Sequence, residues 1–360
     1  MTVVVAGGGT GGHLYPGIAV ARELLRRDPD ARVSFAGTAR GLETRIVPRE
    51  GFGLDLIRSA GIKGKSVAAR LRGAALLPAS VIDAWRLLSH RRPHVVIGVG
   101  GYSSGPVVLI AAWRGVATMV LEQNALPGVT NRLLARWVRV AAVTYDETLA
   151  FFHGRGCVTG NPVRPEFLDA GARGPNASGA PALRVLILGG SQGAHAINMA
   201  MVASAPELAR RHPGLEIVHQ TGQADLAVVR DSYARAGVAA RVESFLDGMA
   251  REMTDADLVI SRAGATTLAE LAAVGRAAVL VPFPGATDDH QRKNARVLAD
   301  AGAAEMVDQR ELDGPRLVEV VDRVLADRGT RASMAAAARM FARPDAAARI
   351  VDRVLELAGR

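Results

Sequence analysis

Two short aliphatic segments, one in each half of the chain, lead directly into glycine-rich loops and then into helical sequence. The first, VVVAGGGTGGH, extends from Val3 to His13, and the second, RVLILGGSQGAH, extends from Arg184 to His195. A strand followed by glycines and a helix exposes backbone N–H groups at the positive end of the helix dipole, where phosphate or another anion binds. The repetition of this unit predicts two similar α/β domains with a cleft between them.

Apolar runs of four to six residues alternate with amphipathic or alanine-rich helical segments along the rest of the chain. This alternation predicts parallel sheets of doubly wound topology. A length of 360 residues favours two domains. The candidate strands are Val3–Ala6, Val33–Ala36, Val95–Val99, Thr118–Leu121, Ala141–Thr144, Val185–Leu188, Glu216–Gln220, Ala240–Glu243, Leu258–Ser261 and Ala278–Pro282.

The domain boundaries are predicted from composition. The segment Asp169–Pro181 (DAGARGPNASGAP) is rich in Gly, Ala and Pro, shows little periodicity and precedes the second glycine-rich loop, so it indicates a linker. Pro344 precedes a last helical segment, Asp345–Leu357. We expect an N-terminal domain over residues 1–163, a C-terminal domain over 164–343, and a C-terminal helix within 344–360 that packs back on the N-terminal domain.

Composition excludes several classes of protein. The only cysteine is Cys157, which excludes an internal disulfide and fits a reducing cytoplasm. The apolar N-terminus continues into the glycine-rich loop, so we expect a first strand and not a signal peptide. The segment Val95–Trp113 carries no charge, but glycines and Pro106 interrupt it, which favours a strand, a loop and the start of a helix over a membrane span.

The net charge of +9 favours anionic partners. Positive residues concentrate between Arg58 and Arg92, where Asp83 is the only acidic residue. Four apolar residues recur there at helical spacing: Leu77, Val81, Trp85 and Leu88. Pro78 is suited to the first turn of such a helix. Such a helix binds an anionic membrane surface, or else it is an ordinary helix with Trp85 in the core and arginines in water. The low aromatic content of 4%, without a known nucleic-acid motif, argues against nucleic acid.

Neither glycine-rich loop carries the GK[ST] of a P-loop. The first contains Gly7-x-Gly9-x-x-Gly12, the dinucleotide fingerprint, but no acid follows the second strand until Glu43. An NAD-dependent oxidoreductase needs an acid near the end of that strand to bind ribose, so this class is disfavoured. His13, at the start of the following helix, is suited to general-base chemistry or to a structural bond with the loop.

Seven segments, in order and spanning nearly the whole chain, resemble the MurG family of bacterial UDP-N-acetylglucosamine:undecaprenyl-pyrophosphoryl-muramoyl-pentapeptide N-acetylglucosaminyltransferases. They are GGGTGGHLYPG (Gly7–Gly17), GVGGYSSGP (Gly98–Pro106), EQNALPGVTNRLLA (Glu122–Ala135), TGNPVRPEF (Thr159–Phe167), GGSQGAHAIN (Gly189–Asn198), SRAGATTLAEL (Ser261–Leu271) and VPFPGATDDHQRKNA (Val281–Ala295).

The resemblance implies a GT-B fold, in which two Rossmann-like doubly wound parallel-sheet domains face a cleft and the C-terminal domain binds the donor nucleotide. It implies inverting transfer of GlcNAc from UDP-GlcNAc to the 4-hydroxyl of the muramoyl sugar of lipid I, which forms lipid II. The implied partners are UDP-GlcNAc, lipid I and the anionic inner leaflet, with peripheral attachment at the cytoplasmic face of the cell membrane. No cofactor or metal is implied, so Asp288 and Asp289 are expected in a solvated loop.

For the donor, we expect Ser191 and the second glycine-rich loop to bind the diphosphate, with the charge of Arg164 stabilising the departing UDP. Glu270, expected in the first turn of a helix, is suited to accept the ribose hydroxyls. The alternative is a capping box, Thr267-x-x-Glu270. The donor residues implied by the resemblance are Thr10, Gly11, Gly12, Asn124, Arg164, Ser191, Leu246, Ala265, Thr266, Thr267, Leu268, Ala269, Glu270 and Gln291.

For catalysis, we expect His13 as the base, with Glu122 as second choice. The first glycine-rich loop and the loop Gly98–Pro106 are expected to bind the lipid pyrophosphate together. The residues expected from Gly98–Pro106 are Gly100, Gly101, Tyr102 and Ser103. The resemblance favours a membrane-binding patch of Leu77, Val81, Trp85 and Trp113. The alternatives are another GT-B enzyme, such as a natural-product glycosyltransferase or a UDP-GlcNAc 2-epimerase.

Overall fold

The computed structural model describes residues 1–59, 75–173, 183–190 and 192–359. Ser191 and residues 174–181 of the predicted linker lie outside this description. The chain divides into two compact units, one formed by Met1–Arg164 with Arg343–Arg360 and the other by Pro165–Ala342.

In the described part of the N-terminal unit, seven parallel strands form one sheet in the order β3-β2-β1-β4-β5-β6-β7. The strands are β1 (Thr2–Gly7), β2 (Arg32–Gly37), β3 (Gly53–Leu56), β4 (Val95–Gly100), β5 (Ala117–Glu122), β6 (Val140–Val143) and β7 (Gly156–Val158). The helices are α1 (Gly11–Arg27), α2 (Glu43–Arg49), α3 (Leu77–Arg91), α4 (Ser104–Trp113) and α5 (Val129–Leu134), with a 3-10 helix over Asp146–Phe152.

The described part of the C-terminal unit contains six parallel strands in the order β10-β9-β8-β11-β12-β13. These are β8 (Arg184–Leu188), β9 (Glu216–Gln220), β10 (Ala240–Glu243), β11 (Leu258–Ser261), β12 (Ala277–Leu280) and β13 (Ala304–Met306). The helices are α6 (Pro165–Arg173), α7 (His195–Arg211), α8 (Leu226–Arg235), α9 (Met249–Asp255), α10 (Ala265–Val274), α11 (His290–Asp300), α12 (Gly314–Ala326) and α13 (Arg328–Arg339), with a 3-10 helix over Thr287–Asp289.

Helix α14 (Ala346–Leu357) follows Pro344 and belongs to the N-terminal unit, where it packs on α1. Its apolar face contributes Ile350, Val351 and Val354 to the core on one side of the first sheet. Burial of these side chains removes apolar area from water, which fixes the helix in place.

The strand order gives each sheet a switch point, where the chain reverses the direction in which it adds strands. In the first sheet this point lies between β1 and β4, and in the second it lies between β8 and β11. Ligands of doubly wound proteins bind at the carboxyl ends of strands at such points. Both glycine-rich loops lie there, because they follow β1 and β8. The prediction of doubly wound, parallel α/β domains is confirmed.

The predicted linker is wrong at its N-terminal end. Asp169–Arg173 forms the end of α6, whose Phe167 and Ala170 are buried in the core of the C-terminal unit. The glycine and alanine content that suggested a linker instead allows close packing, since Gly171 lies against the backbone carbonyl of Ala273.

The uncharged segment Val95–Trp113 forms β4, a turn and α4, as predicted. Among the described residues, no helix is long and apolar enough to cross a membrane.

Candidate active site

The first glycine-rich loop ends at the N-terminus of α1, where Thr10 is the N-cap. The Thr10 side chain does not cap a backbone N–H; its hydroxyl oxygen lies 3.2 Å from Nδ1 of His13. His13 is half-buried, whereas Thr10 and Gly12 are exposed and Gly11 is half-buried. The structure therefore brings together four predicted site residues at one helix end. The contact with Thr10 is the structural bond considered for His13, and partial exposure leaves the imidazole accessible to a substrate.

The loop after β4 packs directly on the first glycine-rich loop. A Cβ at Gly100 would lie 2.8 Å from the His13 ring, and a Cβ at Gly101 would lie 2.8 Å from the carbonyl oxygen of Gly8. Both glycines also have positive φ, +97° and +81°. Only glycine fits here without strain, so Gly100 and Gly101 bring the two loops into contact.

The next two residues of that loop differ in exposure. Tyr102 is 37% exposed and approaches Gly9, while Ser103 is 2% exposed. Tyr102 is therefore accessible to solvent, and Ser103 is part of the packed loop.

Glu122, the second candidate base, ends β5 and is 3% exposed. One carboxylate oxygen accepts hydrogen bonds from N and Nδ2 of Asn124, at 3.0 and 3.1 Å. The other accepts from Gly128 N and Asn131 Nδ2, both at 2.9 Å. Burial raises the pKa of Glu122, and these donors partly offset the rise. The arrangement favours a role in holding the loop that carries Asn124, which leaves His13 as the better candidate base.

Arg164 is the last residue of the first part of the N-terminal unit and is half-buried. Its guanidinium lies over the ring of Tyr15 in α1, 5.2 Å from the ring centroid. A cation is attracted electrostatically to the face of an aromatic ring. Arg164 is thereby oriented near the helix end that carries His13.

The second glycine-rich loop is held by the end of β9. Gln220 is 3% exposed; its Nε2 donates to the carbonyl of Gly190, 3.0 Å away, and its Oε1 accepts from the backbone N–H of Leu246, 2.9 Å away. Gly193 has φ +78° and packs against the carbonyl of Thr221, where a Cβ would overlap. Gln220 was not predicted from the sequence. It links Gly190, in the loop predicted to bind the diphosphate, with Leu246, predicted to bind the uracil.

A buried hydrogen-bonded chain lies behind this loop. Nε2 of His219 is 3.0 Å from Oδ1 of Asn198, and Nδ1 is 2.9 Å from the Tyr233 hydroxyl. Asn198 Nδ2 donates to the Thr221 carbonyl and to Asp225. Because Asn198 Nδ2 is a donor, its Oδ1 accepts from Nε2–H of His219. Burial lowers the pKa of His219 to about 3, so the imidazole is neutral.

The helix after β11 starts at Ala265, with Gly264 as N-cap. Glu270 is its sixth residue, so the expectation of a first-turn position is wrong, and so is the capping box, because Thr267 lies within the helix. The first turn instead contains small and hydroxyl residues. Ala265, Thr266, Thr267 and Ala269 are half-buried, Leu268 is 1% exposed and Glu270 is 7% exposed.

The two remaining donor candidates engage backbone groups. Gln291, half-buried in the first turn of α11, accepts through Oε1 from the N–H of Phe283, 3.0 Å away. Leu246 is 5% exposed, and its N–H is bonded to Gln220. Gln291 is therefore bonded to the loop after β12, and Leu246 is linked through Gln220 to the second glycine-rich loop.

Asp288 and Asp289 precede α11, both with positive φ (57° and 55°). Asp289 pairs with Arg292, at 3.0 Å. Among the described residues, no group of three or more His, Cys, Asp or Glu is arranged to hold a metal ion.

The four residues predicted to form a membrane patch, Leu77, Val81, Trp85 and Trp113, are all exposed. Trp85 is 53% and Trp113 is 62% exposed, so the interpretation of Trp85 as a core residue is wrong. Arg114 joins the two, since its guanidinium lies 4.6 Å from the centre of the Trp85 ring. The exposed apolar residues of α3 are Leu77, Val81, Ile82 and Trp85, and the exposed ring of Trp113 lies edge-on to that of Trp137, with centroids 6.2 Å apart. We call this set the tryptophan patch. Leu88, by contrast, is buried.

Two units of this kind define the class: a doubly wound α/β protein with a glycine-rich loop at the switch point of each sheet. Models of the glycosyltransferase family 28 N-terminal domain and C-terminal domain match residues 3–143 and 184–350. The chain belongs to glycosyltransferase family 28.

Curated relatives match over almost the whole chain. The UDP-N-acetylglucosamine–N-acetylmuramyl-(pentapeptide) pyrophosphoryl-undecaprenol N-acetylglucosamine transferase of Pelobacter propionicus is 48% identical, covering 99% of each chain. The protein of that name from Anaeromyxobacter sp. (strain K) is 46% identical, covering 100% of this chain and 94% of its own. The crystal structure of Acinetobacter baumannii MurG matches with a TM-score of 0.80 at 32% identity, covering 99% of both chains. The predictions of the MurG family, a GT-B fold and a glycosyltransferase are confirmed.

Proposed function

We propose that this chain transfers GlcNAc from UDP-GlcNAc to the 4-hydroxyl of the muramoyl sugar of lipid I, forming lipid II for peptidoglycan synthesis. One observation carries the proposal: relatives named for this transfer are 48% and 46% identical to the chain over nearly its full length. The arrangement of loops at both switch points supports it.

The donor is assigned to the C-terminal unit. Backbone N–H groups of the second glycine-rich loop, with Ser191, bind the diphosphate, and the Leu246 carbonyl accepts from the uracil. The Glu270 carboxylate accepts both ribose hydroxyls, while Gln291 and residues 265–269 line the nucleotide-sugar site.

The transfer is a single displacement. His13 takes the proton of the acceptor hydroxyl as the oxygen attacks the anomeric carbon. The bond from that carbon to the diphosphate breaks, and UDP departs with the electron pair. Arg164 and the loop N–H groups stabilise the developing negative charge. This gives inversion without a covalent sugar–enzyme intermediate, and no metal is required. Thr10, Gly11, Gly12 and Asn124 contact the transferred sugar.

The acceptor is assigned to the N-terminal unit, where Gly100, Gly101, Tyr102 and Ser103 form the loop nearest to His13. The tryptophan patch attaches this unit to the anionic inner leaflet, as a peripheral protein on the cytoplasmic face. Exposed tryptophans beside Arg114 support this assignment, because aromatic rings suit the headgroup region and arginine suits anionic lipid.

Two rival activities share the fold. A natural-product glycosyltransferase would use a soluble acceptor, and a UDP-GlcNAc 2-epimerase would act on UDP-GlcNAc alone. Near half identity to relatives named for the lipid-linked transfer favours that reaction over both.

The test is UDP release from UDP-GlcNAc with and without a lipid I analogue, in the presence and absence of excess EDTA. We expect UDP release that requires the acceptor and is unaffected by EDTA. Release without acceptor, or epimerised sugar, would assign one of the rivals instead. NADH fluorescence unchanged by the protein is the control for the oxidoreductase class.

A further inference from the structure

Glu43 is a buried acid that the proposed mechanism does not use. It begins α2 and is 1% exposed. Its Oε2 accepts the backbone N–H of Gly9 at 2.8 Å, and its Oε1 accepts both the N–H and the hydroxyl of Thr38, at 2.9 and 3.0 Å. All three donors are neutral. Burial of a carboxylate is costly unless such donors satisfy it, so Glu43 and the first glycine-rich loop depend on each other.

Glycines shape the space around this carboxylate. A Cβ at Gly8 would lie 2.7 Å from Oε2 of Glu43, and a Cβ at Gly37 would lie 2.6 Å from its Cγ. A Cβ at Gly41 would overlap the carboxylate. Gly8 has φ +149°, where other residues are strained. The first glycine-rich loop and the connection between β2 and α2 thus both approach one side chain closely, and the Glu43 carboxylate occupies the place of a bound anion.

Glu43 differs in position from the ribose-binding acid of dinucleotide-binding proteins. There an acid at the end of the second strand binds the ribose of the ligand. Here β2 ends at Gly37, and the next acid in the sequence turns inward to the glycine loop itself. The Gly9 N–H, which would otherwise be offered to a phosphate, is occupied by the protein's own carboxylate.

The two glycine-rich loops differ in this respect. The contacts of the second loop described above are neutral: the amide of Gln220 and the carbonyl of Thr221. A phosphate at the Gly9 N–H would meet the carboxylate of Glu43, whereas the carboxylate beside the second glycine-rich loop, Asp225, is paired with His195 at 3.0 Å. Like charges in a poorly solvated site repel strongly.

We propose that Glu43 is a positioning residue: its carboxylate serves as the internal anion of the first glycine-rich loop and sets the place of Thr10 and His13. Gly9 precedes Thr10, and Thr10 lies against the His13 ring, so the bond from Gly9 to Glu43 fixes the start of α1. This inference rests on the proposed function, since it gives His13 its catalytic importance.

The first test compares Glu43→Gln and Glu43→Ala with matched changes at Glu50. Glu50 lies at the end of the same helix and pairs with Arg22 at the surface. We expect kcat to fall by about 10- to 100-fold in the Glu43 variants, because small displacements of a catalytic group are costly. The affinity for UDP stays unchanged, because the nucleotide binds the other unit. Glu50→Gln and Glu50→Ala keep the kcat of the unsubstituted enzyme.

Chemical rescue separates an internal anion from a merely structural residue. Glu43→Ala leaves a space lined by glycines and N–H donors, so formate should restore part of kcat in a concentration-dependent way. Formate should not stimulate Glu43→Gln, which keeps the space filled, nor Glu50→Ala. Unchanged kcat in both Glu43 variants, or loss in Glu43→Ala without rescue, would overturn the proposal.

A readout independent of activity separates this inference from the proposed function. In protein labelled at glycine and histidine, the Gly9 amide proton should resonate downfield and exchange slowly. Glu43→Gln, which offers one acceptor oxygen in place of two, should weaken both properties and move the His13 ring signals. Thr38→Val removes one donor and preserves the carboxylate, so it should shift the His13 ring signals in the same direction by a smaller amount. This variant replaces Glu43→Gln in the test if Glu43→Gln folds poorly. Unmoved His13 signals overturn the inference even in an active enzyme. If UDP release does not depend on the acceptor, only the proposed function is rejected.

Discussion

The hydroxyl of Thr10 lies beside Nδ1 of His13, at 3.2 Å, although a threonine at a helix N-cap ordinarily accepts from a backbone N–H of the first turn. When Nδ1–H donates to Thr10, Nε2 is the unprotonated ring nitrogen. This is the tautomer in which His13 can act as a base.

We expect His13→Gln to lower kcat by about 100- to 10,000-fold, the usual contribution of a general base, while UDP affinity is unchanged. Thr10→Val should lower kcat less, and Thr10→Ser should retain most of it. Steady-state kinetics with saturating donor and lipid I analogue measure these effects. Normal turnover by His13→Ala under these conditions would eliminate His13 as the base.

Glu270 provides a test of the donor site that does not depend on the identity of the base. We expect Glu270→Gln to lower kcat/KM by about 10- to 100-fold, because a carboxylate accepting two hydroxyl hydrogen bonds contributes more than a neutral pair. Replacing UDP-GlcNAc by its 2′-deoxyuridine analogue should lower the activity of the unsubstituted enzyme. The same replacement should have little further effect on Glu270→Gln. The control is Glu319→Gln, at an exposed ion pair with Arg316. Equal sensitivity of both enzymes to the 2′-hydroxyl contradicts ribose binding by Glu270.

Gln220 should affect the donor and not the acceptor, because it bonds both Gly190 and Leu246. Gln220→Glu replaces the donor Nε2 by an acceptor facing the Gly190 carbonyl. We expect UDP affinity, measured by calorimetry, to fall by about 10-fold, the typical effect of one buried unsatisfied group. The matched control is Gln123→Glu, a buried glutamine that bonds Val99 in the other unit. If both variants bind UDP equally well, Gln220 does not organise the donor site.

Most of the fold follows from the sequence, since each of the ten candidate strands coincides with a strand of the structure. The missed strands, β3, β7 and β13, are short edge strands with sequences GLDL, GCV and AEM, which lack an apolar run. The site was predicted less completely. Glu43 and Gln220 act through hydrogen bonds to distant loops, and no local pattern indicates which buried polar side chain will meet which backbone group.

Exposure of the tryptophan patch predicts charge-dependent membrane binding. We expect the protein to float with vesicles containing phosphatidylglycerol, and to be released as salt rises, because surface attraction is screened. A Trp85→Ser, Trp113→Ser double variant should bind weakly at any salt, and Arg114→Gln should be released at lower salt. Val228→Ser, at an exposed apolar residue of the other unit, is the control. Equal binding to phosphatidylcholine vesicles contradicts the electrostatic contribution.

Buried His219 should make the protein sensitive to acid. Its pKa is lowered from 6.5 to about 3 by burial. Between these two pH values the unfolded chain binds a proton that the folded chain does not bind. The free energy of unfolding therefore decreases as pH falls below about 6.5, by up to about 1.4 kcal/mol per pH unit from this group. We expect His219→Gln to be less stable at pH 7 but to lose less stability between pH 6.5 and pH 4, as measured by urea denaturation. His90→Gln, at the surface, should retain the full acid sensitivity. Should His219→Gln fold poorly, the His219 ring signals in the unsubstituted protein provide the measurement, and their titration near pH 6 would contradict the prediction.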